Sequence, residues 1–164
     1  MQNSPIDKAM YYDALPTRSY CGLYYFPSLE LTPTYYAFKA FHELHQLGNQ
    51  SGGDSGRLGD RLYGCAAHDA KNAALLLVNN DDLTREIALE LSGPYRFDTA
   101  LLLDRDHRLE ATDTVFEPVH SLVKLPPFSV VLLKTGTEEA KEPEAKTATG
   151  RKKNLNGIDT GTSN

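Results

Sequence analysis

His42, Glu43 and His45 stand together as His-Glu-Leu-His, a donor set that zinc hydrolases use. The metalloprotease pattern needs its histidines four apart on a helix, so that both reach one metal from one face. Here they are three apart, and the group reads as a solvated helix flank. Asp104, Asp106 and His107 also resemble a ligand cluster. A calcium loop requires a twelve-residue pattern with a central glycine and a terminal glutamate, which this stretch lacks, so it reads as a hairpin turn. Ser55 lies among glycines as Gly52-Gly53-Asp54-Ser55-Gly56. A nucleophile elbow is Gly-x-Ser-x-Gly between a strand and a helix, and neither the spacing nor the flanks match. No catalytic residue, metal site or cofactor site is therefore expected.

The tyrosines carry more information. Tyr11-Tyr12, Tyr24-Tyr25 and Tyr35-Tyr36 come as pairs, with Tyr20 and Phe26 nearby. A tyrosine can stack on a sugar ring and hydrogen-bond through its hydroxyl, while most such rings simply pack a helix against strands. Asp13 closes the first apolar run, where a barrel enzyme would place a carboxylate. Tyr12, Asp13 and Tyr24 are thus the candidate substrate-binding residues.

Three regions must position these groups. In residues 1–48 the run Ala9 to Tyr12 predicts a buried strand and Tyr20 to Phe26 a second one, stopped by Pro27. Thr32 as N-cap, Pro33 in the first turn and Gly48 as terminator predict a helix over Pro33 to Leu47. Its apolar face is read as Tyr36, Phe38, Phe41, Leu44 and Leu47, with Ala37 or Ala40 beside them, and so broad a face must be covered by something large. Residues 49–59 are rich in glycine and serine and read as a linker.

Residues 60–134 change character. Strands are predicted near Asp60 to Ala67, Ala73 to Asn79, Thr84 to Leu91, Phe97 to Leu103, Arg108 to Ala111, Ser121 to Leu125 and Phe128 to Lys134. Between them lie turn residues such as Asn79 to Asp82 and Asp104 to His107. In the third strand Ile87, Leu89 and Leu91 alternate with Glu86, Ala88 and Glu90, as a strand with one buried face requires. Seven short strands at this spacing predict an antiparallel sandwich. Residues 135–164 carry Leu155 and Ile158 as their only sizeable apolar side chains, too few to offset the entropy of ordering, and are expected to be disordered.

The bulk properties exclude several classes. A net charge of -5 gives no basic footprint for nucleic acid. The longest apolar runs, Ala73 to Val78 and Val130 to Leu133, are far below the roughly 20 residues of a membrane helix, and no secretion signal is visible before Lys8. Cys21 and Cys65 belong to no CxxC or cluster and read as free buried thiols, which fits a cytoplasmic setting better than an oxidising one.

Longer stretches resemble a known family. The run from Gln2 to Ala14 with Tyr11-Tyr12-Asp13, then Cys21-Gly22-Leu23-Tyr24, then Pro33-Thr34-Tyr35-Tyr36-Ala37-Phe38-Lys39-Ala40-Phe41 resembles the end of the catalytic barrel in bacterial glycoside hydrolases of family 39 and related β-xylosidase and α-L-arabinofuranosidase clans. Leu125-Pro126-Pro127-Phe128-Ser129-Val130-Val131-Leu132-Leu133 is similar to the last strand of their accessory sandwich. The resemblance implies a mainly β chain: a strand, loop and helix remnant of a (β/α)8 barrel, then an antiparallel β-sandwich, then a disordered tail. Lys8 to Asp13 would be the eighth barrel strand and Pro33 to Leu47 the eighth helix. Such enzymes cleave glycosidic bonds with retention, through two carboxylates about 5 Å apart. Those glutamates belong to earlier barrel strands, so the segment itself is expected to be non-catalytic. Its expected partners are the catalytic barrel of a parent enzyme and, in an alternative reading as a carbohydrate-binding module, a glycan held by exposed tyrosines.

Overall fold

The computed structural model describes Tyr11 and residues 16–17, 22–50, 56–91 and 94–135. The elements are β1 (Pro16–Thr17), β2 (Tyr24–Tyr25), α1 (Pro33–Leu47), β3 (Asn49–Gln50), β4 (Gly56–Gly59), β5 (Leu62–His68), β6 (Ala73–Asn79), β7 (Arg85–Ala88), β8 (Phe97–Leu103), β9 (Arg108–Ala111), β10 (Phe116–Glu117), β11 (Leu122–Leu125) and β12 (Ser129–Thr135). The large sheet runs β3-β5-β6-β12-β8-β9, with β4 also on β5, and a smaller sheet runs β10-β11-β7. All pairings in these two sheets are antiparallel, so the expected sandwich is present.

The central strands of the large sheet are buried on both faces, which is why they read as continuous apolar runs rather than alternating ones. On β12, Val131 and Leu133 point between the sheets and Leu132 toward the helix, and on β6 Ala73 and Leu77 are split from Ala74 and Leu76 in the same way. Phe116, Val123 and Leu125 of the small sheet close the first core, where Phe97 meets Phe116 edge to face at 6.5 Å. Ala40 and Leu44 of α1 close the second over Ala67, Ala74, Leu76 and Leu132. Ala67 and Ala74 are cross-strand partners, and this low platform lets the helix come close to the sheet.

The helix spans the expected residues. Thr32 Oγ1 accepts from the Tyr35 N–H at 3.4 Å, and Gly48 has φ +78°, the left-handed region that favours glycine. Other boundaries moved. The strand expected over Thr84 to Leu91 is only β7: Ile87 and Leu89 pack on the core as expected, but Leu91 is exposed. The expected linker is not wholly unpaired, because β3 and β4 at its two ends both pair with β5. Glycine lowers strand propensity but does not prevent pairing with an available edge. Leu122–Leu125 starts one residue later than expected and ends as expected, Ser129–Thr135 is shifted by one residue, and β10 was not expected at all. Of the strand expected over Tyr20 to Phe26, the described residues 22–26 contain only β2, which is bridged to Leu31. Of the buried strand expected over Ala9 to Tyr12 only Tyr11 is described, and it is exposed and in no strand; the rest of that run and the tail beyond Thr135 lie outside the described residues, as do Cys21 and Ser55.

Candidate functional site

Helix α1 has apolar groups on two sides. Ala40 and Leu44 face the sheet, flanked by Phe41 and Leu47, while Glu43 forms an ion pair with Lys134 of β12 at 2.5 Å. Phe38, expected on the covered face, instead lies opposite it at 44% exposure, its ring edge-on to Tyr11 with centroids 5.4 Å apart. The 3.6-residue period explains this: Phe38 is two residues from Ala40, nearly half a turn around the helix. A helix that is apolar on opposed faces is suited to lie between two layers. His42 and His45 are exposed, 6.4 Å apart ring to ring, and His42 pairs with Gln46 at 3.1 Å. No group of three or more His, Cys, Asp or Glu side chains suited to a metal occurs among the described residues.

The segment leading into the helix is a backbone-locked loop. Tyr25 N–H donates to the Glu30 carbonyl at 2.8 Å, Leu29 N–H to the Tyr25 carbonyl at 2.8 Å, and Thr32 N–H to the Leu23 carbonyl at 3.0 Å. The buried Thr32 hydroxyl donates to the Gly22 carbonyl at 2.8 Å. These bonds hold Tyr25 and Phe26 out at the tip, 44% and 52% exposed. Of the three candidate substrate-binding residues, Tyr24 is half-buried at the base of this loop, and Tyr12 and Asp13 lie outside the described residues. The adjacent exposed rings are Tyr25 and Phe26, which the pairing of tyrosines alone did not single out.

The Asp104 cluster is a hairpin turn between β8 and β9. Asp104 Oδ1 accepts from the Asp106 and His107 N–H groups, each at 2.8 Å, and pairs with His107 Nδ1 at 2.8 Å. Partial burial acts to raise the Asp104 carboxyl, but the bonds from His107 and the turn N–H groups outweigh it and hold it below the usual range. The same bond to Asp104 holds His107 above the ordinary imidazole value. Cys65 is a free, half-buried thiol, pushed up by burial. That is the opposite of what a reactive cysteine requires.

A groove of about 960 Å³ opens where β8 runs past the end of β9 and the chain crosses to the small sheet. Ala100, Val115 and Phe116 contribute its apolar lining, and Glu86, Asp98, Asp113 and Glu117 stand exposed around it, with Lys124 as the one basic group among the described residues. Asp98 accepts from the Thr99 hydroxyl at 2.8 Å, and Glu117 pairs with His120 at 2.9 Å. These acids are spread over three strands and a loop, so no local motif marks them in the sequence.

No family model matches this sequence, and comparison with curated proteins returns no match. Solved structures do share the fold. A glycoside hydrolase family 30 subfamily 8 xylanase from Clostridium acetobutylicum superposes with a TM-score of 0.54 at 14% identity, over 69% of this chain and 30% of that one. A family 30 endoxylanase from Clostridium papyrosolvens C71 gives 0.55 at 13% identity, with the same coverages. At this identity the likeness is one of fold, and the chain spans less than a third of either enzyme. No helix among the described residues is long and apolar enough to cross a membrane.

Proposed function

We propose that this chain is a non-catalytic, glycoside hydrolase-related segment, a sandwich whose helix joins it to the catalytic barrel of a glycosidase. The observation that carries the reading is the two-sided helix. Its Ala40 and Leu44 side is taken up by the sandwich, and its Phe38 side is left for a further layer. The fold likeness supports it, because more than two thirds of each xylanase lies outside the match, enough length for a catalytic unit. The resemblance in sequence is to family 39 and the likeness in fold is to family 30, so the reading rests on what the two share, a glycosidase parent. The test has two arms. The purified chain should show no turnover of aryl xylosides, aryl arabinosides or xylan, and measurable hydrolysis would overturn the non-catalytic role. The coding sequence upstream of Met1 should encode a barrel with two suitably placed glutamates; an unrelated upstream domain would remove the barrel partner.

A second reading is a carbohydrate-binding module, favoured by the adjacent exposed rings of Tyr25 and Phe26. Aromatic faces of this kind can stack on sugars. Xylo-oligosaccharide titration followed by amide NMR should then shift a contiguous patch over residues 23–31, and unmoved signals there would exclude it.

A further inference from the structure

The groove beside β8 plays no part in that reading. Its lining is apolar at Ala100, Val115 and Phe116, while its surroundings are acidic through Glu86, Asp98, Asp113 and Glu117. A ligand suited to it must bring several positive charges and at least one apolar group. Such a stretch occurs in the chain itself. From Ala145 to Gly157 the sequence carries Lys146, Arg151, Lys152 and Lys153 with no acidic residue, and Leu155 and Ile158 follow the basic triplet closely. This basic stretch stands out in a chain whose net charge is -5.

The attachment point favours an intramolecular match. β12 ends at Thr135, in register with Phe97, and the preceding Lys134 is opposite Thr99. The chain therefore leaves the sheet beside the Asp98 side of the groove. Residues 136–150 separate Thr135 from Arg151 and span up to roughly 50 Å when extended, at about 3.3–3.6 Å per residue, which is ample for a site that begins at the neighbouring strand. A tether of this kind holds its end at an effective concentration on the order of millimolar, so individually weak contacts are enough.

We propose that residues 151–158 dock in cis on this groove, with Arg151, Lys152 and Lys153 against the surrounding carboxylates and Leu155 on the apolar lining. A stretch with too little apolar surface to fold alone can order on such a template, and its charged contacts weaken as salt screens them.

The test uses the full chain and does not depend on the glycosidase reading. Amide NMR spectra of the wild type and of R151E/K152E/K153E are compared at low ionic strength. Shifts should appear at residues 98–100 and 112–117, and raising salt to about 0.5 M should move the wild-type signals the same way. Adding D113K/E117K to the reversed tail should restore the salt-sensitive contact. Groove signals that ignore the tail reversal would overturn the proposal, as would a charge swap that restores nothing. Xylo-oligosaccharide shifts of equal size at the groove with and without the tail reversal would assign it to a sugar and overturn the proposal too.

Discussion

On one face of the large sheet, Leu77, Leu102, Val131 and Leu133 meet Phe116, Val123 and Leu125 of a second sheet; on the other, Ala74, Leu76 and Leu132 meet one helix through Ala40 and Leu44. The first interface is made of long side chains that interlock across two sheets. The second sets Ala40, Ala67 and Ala74 among its leucines, which permits close approach but removes less apolar surface from water at those positions. The sandwich core is therefore the deeper source of stability. The helix is attached to it and carries a second aromatic side away from the sheet, Tyr11 on Phe38. One sheet thus serves both as half of a two-sheet core and as the platform on which the helix lies.

The sharpest way to break this contrast is Leu133→Ala. Leu133 is fully buried between the sheets, and its truncation should cost about 3–5 kcal/mol and lower the urea midpoint of the whole chain. Leu44→Ala, on the helix side, should cost about 2–3 kcal/mol, with faster hydrogen exchange in α1 than in β6 and β12. Equal losses of protection in both places would merge the two cores into one cooperative unit. Ala74→Leu tests the close approach directly: overpacking should cost about 1–3 kcal/mol and disturb helix amides before those between the sheets. Phe38→Ser should change stability by no more than about 0.5 kcal/mol, as for exposed sites generally, while improving solubility. A large loss there would mean that the outward side is already part of the core.

The smallest expected effect is the pH response of the β8–β9 turn. His107 is held above its ordinary value, so its bond to Asp104 contributes fully below about pH 6.5 and is lost as pH rises through the folded-state value. Asp104 is held below its ordinary value, so its contribution is present above about pH 3.9 and is lost as pH falls through the folded-state value. The turn is thus most strongly tied in the window between. An NMR titration of His107 should show the raised midpoint, and Asp104→Asn should remove the Asp104 contribution to it.

Much of this architecture was legible in the residues. Thr32, Pro33 and Gly48 fix both ends of the helix because each satisfies a local requirement of a helix terminus, and Ala73–Asn79, Phe97–Leu103 and Arg108–Ala111 were bounded by turn chemistry equally local. Failures came where pairing is decided at a distance. β10 has only Phe116 and Glu117 and forms because β11 lies beside it, and the ends of the glycine-rich segment pair because β5 offers an edge. The side of the helix carrying Phe38 was misassigned because an apolar residue is not obliged to face the nearest core. Of the candidate site, Tyr24 was found at the base of a loop whose exposed rings are its neighbours. The groove was not legible at all, since Glu86, Asp98, Asp113 and Glu117 meet only once both sheets have formed.

Among the described residues β12 is the last strand in chain order, yet it lies between β6 and β8 in the large sheet. During synthesis, β6 and β8 both emerge before the strand that joins them. Until Ser129–Thr135 has left the ribosome, each has an open, strongly apolar edge, the kind that recruits other chains. β5 and β6 can pair early as a hairpin, as can β8 and β9, but the two halves wait for one insertion. The nascent chain is consequently most prone to aggregate in the interval between completing β9 and releasing β12.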